Sequence, residues 1–302
     1  MTDIRERYDR AQSDLYGLGT ALVTPFKEDL SVDYEALNRL LDIQLSGDTD
    51  YIVVLGTTGE AATLTDEEKT AVREFVVRKV AGRLPLVLGV GGNCTARVVE
   101  ELHRLAPVLR EHFTAILSVC PYYNKPSQEG IYRHFCAIAE ASPVPVLLYN
   151  VPGRTGVNIT PETALRIHAA YPDKVCGIKE ASGNVPQIEY LLRQAPSDFL
   201  VISGDDGIAC QLMEAGASGL ISVASNAFPS VYRKIIYGKD SALQARYAQM
   251  VHLLFAEGNP SGIKTVLAAL GVISNRLRLP LVPNSEAVQT EIRCALRSLT
   301  DE

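Results

Sequence analysis

Eight short apolar runs recur along this chain at similar spacing, each bounded by turn-forming residues, and they restrict the possible folds more than any other feature. They are GLGTALVTP from Gly17, YIVVLG from Tyr51, LPLVLGVGG from Leu84, AILSVCP from Ala115, VPVLLYNVP from Val144, VCGIKEA from Val175, FLVISGDD from Phe199 and GLISVAS from Gly219. Each is a near-continuous stretch rich in Val, Ile and Leu, not an alternation of apolar and polar. A strand covered on both faces of a parallel sheet reads this way. Most of the gaps between runs carry helical spacing. The clearest is TDEEKTAVREFVVRKVAG, where Val72, Phe75, Val76 and Val80 share a face, Thr65 and Glu68 stand at capping-box spacing, and Gly82 supplies a stop. Similar helices read from VDYEALNRLLDIQLSG, ARVVEELHRLAPVLREH and QEGIYRHFCAIAEA, and after Thr160-Pro161, where proline suits a first turn. Equal strand-helix repeats, each crossover long enough for a helix, predict a closed (β/α)8 TIM barrel over an open doubly wound sheet.

The last run ends near Ser225, and the segments beyond it are helical in pattern (YRKIIYGKDSALQARYAQMVHLLF, PSGIKTVLAALGV, SEAVQTEIRCALRSL). One of these segments closes the barrel and the others form a small C-terminal helical appendix, with Asn259-Pro260 and RLPLVP at its joints. The expected organisation is a polar extension over 1–14, the barrel over 15–235 and a C-terminal helical region over 236–302. The sequence does not place the extension.

At 47% hydrophobic and 21% charged, the 302 residues are those of a globular protein with a sizeable core. A net charge of −6 argues against nucleic acid as a partner. No apolar run approaches the roughly 18 residues of a membrane span, and the opening MTDIRERYDR is charged where a signal peptide is apolar. A cytoplasmic location without membrane attachment is therefore expected. The six cysteines form no CxxC pair and are expected to be buried free thiols. The triplets Asn93-Cys94-Thr95 and Asn158-Ile159-Thr160 match glycosylation acceptors, which matter only on a secreted chain.

In a barrel of this kind reactive groups gather at the C-terminal ends of the strands. The residues that fall there are Thr57-Thr58, Tyr122-Tyr123, Tyr149, Arg154, Lys179 and Gly204-Asp205-Asp206. Lys179 ends VCGIK, and a two-residue period from Val175 and Gly177 aims it into the barrel mouth. An amine taken out of water loses the hydration that favours its ammonium form, and the neutral amine is what a Schiff base requires. The same lysine also reads as a structural ion pair with Glu180 or a loop carboxylate. Tyr149 shares the phase of Leu147 and could pass protons to a hydroxyl such as Thr57 or Tyr123. Each tyrosine equally reads as a half-buried ring with a satisfied hydroxyl.

Arg154 offers a fork of donors for a carboxylate, or is a solvated loop residue. GTTGE at Gly56 offers backbone amides and hydroxyls for a small anion, or is an ordinary turn. His103, His112, His134, His168 and His252 have neither HxH nor HExxH spacing, so no metal is expected. GVGGNC departs from the dinucleotide fingerprint at Cys94 and no Walker-type loop is present, so no cofactor is expected. Asp205 and Asp206 read as helix-start caps.

Five motifs in order, GTTGE (Gly56 to Glu60), PYYNKPSQEG (Pro121 to Gly130), YNVPGRTG (Tyr149 to Gly156), GIKEASG (Gly177 to Gly183) and SGDD (Ser203 to Asp206), resemble the dihydrodipicolinate synthase family. That family lies in the N-acetylneuraminate lyase superfamily of pyruvate-dependent class I aldolases, and the resemblance runs from about Gly17 to the C-terminus. It implies a lyase in which Lys179 forms a Schiff base with pyruvate and the enamine attacks L-aspartate 4-semialdehyde. The product would be 4-hydroxy-tetrahydrodipicolinate, the first committed step of diaminopimelate and lysine biosynthesis. The resemblance further implies a hydroxyl relay of Tyr149, Thr57 and Tyr123, with Thr58 and nearby backbone amides on the pyruvate carboxylate. Arg154 would hold the aldehyde substrate's carboxylate, and the backbone at Gly204 and Ile221 would line the pyruvate pocket. It implies a homotetramer built as a dimer of tight dimers, Tyr123 completing the neighbouring subunit's site.

N-acetylneuraminate lyase is the nearest alternative, sharing GTTGE, the lysine and the strand-five tyrosine. Its members resemble YNIPALSG where this chain has YNVPGRTG, and Arg154 suits a short carboxylate better than a sugar. A non-catalytic keto-acid sensor is the alternative of another class, against which every reacting residue is present. Lysine-inhibited members grip lysine with residues matching Asn93 and Tyr122 and a carboxylate one turn on, where this chain has Arg97. With Lys69 also lining that cleft, weak feedback by L-lysine is expected.

Overall fold

Residues 2–300 are described by a computed structural model, and every one of the eight apolar runs contains a strand. These are β1 Gly17–Ala21, β2 Tyr51–Val54, β3 Leu86–Gly89, β4 Ala115–Val119, β5 Val146–Asn150, β6 Val175–Glu180, β7 Leu200–Ser203 and β8 Gly219–Ser222. They follow one another in chain order around a closed barrel, so the fold is the (β/α)8 TIM barrel. The helices are α1 Thr2–Asp14, α2 Tyr34–Ser46, α3 Asp66–Val80, α4 Thr95–His112, α5 Gln128–Ala141, α6 Pro152–Thr155, α7 Pro161–Ala170, α8 Val185–Gln194, α9 Ala209–Glu214, α10 Pro229–Gly238, α11 Ser241–Phe255, α12 Ser261–Ala269 and α13 Glu286–Thr300. Among the described residues no helix is long and apolar enough to cross a membrane.

The capping box of α3 forms as its spacing predicts: Glu68 N–H donates to Thr65 Oγ1 at 3.2 Å, and Thr65 N–H donates to Glu68 Oε2 at 3.0 Å. Val72, Val76 and Val80 are buried, while Phe75 is half-buried against the Tyr34 ring, 5.2 Å between centroids. The stop begins one residue earlier than expected, with Ala81 left-handed at φ 48° ahead of Gly82 at φ 73°.

The chain forms two compact units, Met1–Gly17 with Pro85–Ile221 and Leu18–Leu84 with Ser222–Glu302. Met1, Asp301 and Glu302, which fall in the expected terminal segments, lie outside the described residues.

In the first unit the extension that the sequence leaves unplaced is helix α1. It turns Tyr8 and Ala11 inward, with Leu15 just beyond, all buried. The Tyr8 hydroxyl donates to the Asp198 carbonyl, Gln12 Nε2 to the Cys176 carbonyl at 2.9 Å, and Arg7 Nη1 to the Arg110 carbonyl at 2.8 Å. The helix is thereby pinned to β6 and to the end of α4.

His134 on α5 is buried, with Nδ1 2.9 Å from Thr95 Oγ1, and burial pushes its imidazole down to about 4. In the unfolded chain it titrates near 6.5. Between those values the unfolded state binds a proton that the native state does not, so stability falls as pH drops through the window, by up to about 3 kcal/mol. The gap in urea midpoint between wild type and His134→Gln is expected to change in the variant's favour from pH 7 to near pH 4.5. A gap independent of pH would refute this.

In the second unit α12 is buried nearly all round, from Ser261 to Leu267. Gly262 permits this, because a Cβ there would lie 2.2 Å from the Leu254 carbonyl oxygen of α11. The segment YRKIIYGKDSALQARYAQMVHLLF divides into α10 and α11. Lys239 is left-handed at φ 49°, and the Asp240 carboxylate accepts from Leu243 N–H at 2.8 Å as an N-cap.

The cysteine expectation needs correction. All six are free, but only Cys120, Cys176 and Cys210 are buried. Cys136 is half-buried, and Cys94 and Cys294 are exposed, at the start of α4 and on the outer face of α13.

Candidate active site

Lys179 is the penultimate residue of β6, and its direction follows from strand pairing. It lies opposite Tyr149 of β5 and Ile202 of β7, as Gly177 lies opposite Leu147. A register shift where Val146 and Leu147 meet Val175 and Gly177 leaves Cys176 as an extra residue, so the two-residue period does not run unbroken from Val175. Gly177 and Lys179 do share a phase. The lysine is only 6% exposed, with Nζ 4.4 Å from the centroid of the buried Tyr149 ring.

Glu180 faces the other way, as successive strand residues must. Its oxygens accept from Asn150 Nδ2 at 3.1 and 3.0 Å, Ser182 N–H at 2.8 Å and Gln187 Nε2 at 3.2 Å. Burial raises the Glu180 carboxyl above the usual carboxylate range, and these hydrogen bonds oppose the rise. Asn150 also donates to Asn158 Oδ1 at 2.7 Å and accepts from Ile159 N–H at 3.0 Å. This buried network fixes the β5 and β6 ends in the register that sets Tyr149 beside Lys179. Glu180 is thus committed to other donors and is not the ion-pair partner of the lysine.

Gly204 follows β7, and its amide donates to the Glu180 carbonyl at 2.7 Å. A Cβ at Gly204 would come within 2.6 Å of Ala181 Cβ and 2.9 Å of Lys179 Cε, so the lysine stem occupies the space a side chain would take. Ile221 is buried in β8. Asp205 caps the turn after Gly204, accepting from Gly207 N–H at 2.8 Å, and Asp206 is buried. The capping reading holds for Asp205.

Two candidates lie on the surface of this unit. Arg154 is exposed on α6, a single turn opened by Pro152 and closed by Gly156 at φ 75°. Tyr123 is 88% exposed and left-handed at φ 73°, its amide donating to the Thr155 carbonyl at 3.3 Å, and Tyr122 beside it is 42% exposed. Lys179, Tyr149 and Gly204 are therefore brought together, while Tyr123 and Arg154 are exposed.

Thr57 and Thr58 belong to the second unit, in the 3-10 turn after β2. Thr58 is buried, and its Oγ1 accepts from Asn259 Nδ2 at 3.0 Å. The Gly59 carbonyl accepts from Thr24 Oγ1 at 2.7 Å. Glu60 closes the motif in a left-handed conformation, φ 53°, with its carboxylate 2.5 Å from Lys264 Nζ of α12. Burial pulls Lys264 down to about 8, although Glu60 opposes the shift. Lys264 Nζ also donates to the Arg276 carbonyl at 3.0 Å and lies 4.1 Å over the Phe26 ring. Arg278 N–H donates to Glu60 Oε2 at 3.2 Å, and its guanidinium grips Glu68 with two contacts of 2.6 Å.

Sequence reasoning singled out neither Lys264 nor the Asn150–Glu180 network, gave Glu60 no role of its own, and read Asn259-Pro260 only as a joint. The positions of Asn150 and Glu180, each directly after a candidate residue, were the available signal.

A buried strand-end amine against a phenol ring suits Schiff-base chemistry on a carbonyl substrate, the province of class I aldolase-type barrel lyases. The profile of the dihydrodipicolinate synthetase family matches residues 14–299. The chain is 52% identical over 297 residues to the 4-hydroxy-tetrahydrodipicolinate synthase of Parabacteroides distasonis, covering 96% of this chain and 99% of that protein. Among solved structures it resembles a dihydrodipicolinate synthase of Acinetobacter baumannii complexed with pyruvate (TM-score 0.88, 40% identity, 93% of this chain and 98% of that one). It also resembles a monomeric dihydrodipicolinate synthase variant (TM-score 0.89, 38% identity, 95% and 97%). The chain belongs to the dihydrodipicolinate synthetase family.

Proposed function

We propose that this chain condenses pyruvate with L-aspartate 4-semialdehyde through a lysine Schiff base, giving 4-hydroxy-tetrahydrodipicolinate for diaminopimelate and lysine biosynthesis. The observation that carries the reading is the buried Lys179 amine 4.4 Å from the Tyr149 ring on adjacent, register-locked strands. The amine adds to the keto carbon of pyruvate and water leaves, forming the imine. Loss of a methyl proton then gives the enamine, whose carbon attacks the aldehyde. The semialdehyde's own amine closes the ring on the imine carbon and releases Lys179.

Tyr149, Thr57 and Tyr123 move the protons these steps require. Thr58 holds the pyruvate carboxylate, the backbone at Gly204 and Ile221 lines its pocket, and Arg154 takes the carboxylate of the aldehyde substrate. The exposure of Tyr123 supports its use by a neighbouring copy, in a homotetramer of two tight dimers acting in the cytoplasm. Turnover of the two substrates, coupled to dihydrodipicolinate reductase and read as NADPH oxidation, tests the reading. Folded protein without turnover would overturn it.

Regulation at the cleft lined by Asn93 and Tyr122 is weak in this reading, since Arg97 stands where a carboxylate would grip an ammonium. Lys69 is already 3.4 Å from Asp66, which leaves Arg97 as the main repulsive charge. L-Lysine is expected to leave most of the activity at about 1 mM. Half-maximal inhibition at submillimolar lysine would refute this.

A further inference from the structure

The GTTGE loop ends in an uncommon backbone conformation. Its last residue, Glu60, adopts a left-handed backbone at φ 53° although it carries a side chain that disfavours that region. What holds it comes from far along the chain. The Glu60 and Lys264 side chains meet at 2.5 Å and are both 0% exposed, so neither charge has water to fall back on. Arg278 N–H takes the second carboxylate oxygen, and the Arg276 carbonyl takes a further ammonium hydrogen. Lys264 is borne by α12, whose buried faces leave it little freedom to shift.

Directly before α12, Asn259 donates to Thr58 Oγ1 at 3.0 Å in a buried setting. A hydroxyl has one hydrogen and two lone pairs, so a donor on one lone pair leaves the O–H to be given to an acceptor and polarises it in that sense. The two contacts act on two residues of one motif, one from within α12 and the other from the residue pair that leads into it. The ion pair fixes the backbone of the loop, and the amide fixes the hydroxyl it carries.

We propose that Glu60, Lys264 and Asn259 are positioning residues, a clasp from the C-terminal helices that aims the Thr58 hydroxyl at the carboxylate of the keto acid. This deepens the reading of the site given above and rests on it. None of the three touches substrate. The clasp acts through Thr58, so its signature is loss of keto-acid affinity with the chemical step largely kept.

The test is pyruvate-dependent borohydride trapping of the full-length protein, read by mass as a function of pyruvate concentration, alongside steady-state kinetics. Asn259→Ala leaves the ion pair intact, and the double variant Glu60→Gln/Lys264→Met removes both charges with little change of volume. In each, half-saturating pyruvate for trapping and KM for pyruvate are expected to rise about ten-fold or more, with kcat and the aldehyde KM within about three-fold of wild type. If the double variant does not fold, Asn259→Ala decides alone. Trapping and KM within two-fold of wild type in folded Asn259→Ala would overturn the clasp. A fall in kcat at unchanged pyruvate affinity would overturn it equally. Wild-type protein that pyruvate never labels would overturn the reading of the site, and the clasp with it.

Discussion

Replacing Lys179 with alanine is expected to remove turnover by about 10⁴-fold or more, because no step of the proposed sequence proceeds without the amine. The protein should still fold, since the residue's backbone pairing with Tyr149 and Ile202 does not depend on its side chain. Borohydride added with pyruvate should fix one reduced pyruvate unit on the peptide bearing Lys179 in the wild type and none in the variant. The contrast with Lys264 sharpens the expectation. Lys264 is also a buried lysine, and burial pulls it down to about 8. It is 0% exposed and bound to Glu60 and to a carbonyl, however, so it has no route to a substrate. Label on Lys264, or activity surviving in Lys179→Ala, would sink the assignment.

Gly204→Ala should cost about 100-fold in kcat while leaving the fold intact. The added Cβ would stand 2.6 Å from Ala181 Cβ and 2.9 Å from Lys179 Cε. The lysine stem can swing, but Ala181 Cβ is fixed to the backbone, so part of the strain must move the strand end and part must move the amine. Displacement of a reacting group by about 1 Å is enough for a loss of this size. The borohydride label should form more slowly, at the same lysine. Turnover within two-fold of wild type would show that the close approach at Gly204 has no bearing on the amine.

The strands were legible because they are covered on both faces: an apolar run with turn residues at its ends has little other use in a chain of this composition. Helix α3 was legible through its cap, since Thr65 and Glu68 are local to it. Helix α1 was not placed, because among its described side chains only Tyr8 and Ala11 are buried, too sparse for a periodic signal among charged residues. The extra residue at Cys176 was invisible for another reason. A strand irregularity is set by the partner strand, and nothing in VCGIKEA marks it.

The same division runs through the site. Lys179, Tyr149 and Gly204 follow from the rule that strand ends carry the chemistry, and the surface position of Tyr123 could not be read from its motif. Pairings such as Glu60 with Lys264 or Thr58 with Asn259 join residues about two hundred positions apart. Only the folded chain brings them together.

The single turn α6 has a consequence for how such a barrel diversifies. Arg154 rides on the four-residue turn Pro152–Thr155, which follows the strand end that the Asn150–Glu180 network locks. Under the proposed function that tetrapeptide is an exchangeable cassette: changing it is expected to alter the choice of aldehyde and to leave the amine and phenol behind it in place. Directed evolution toward other acceptors would begin at Gly153 and Arg154 and leave the strand ends alone.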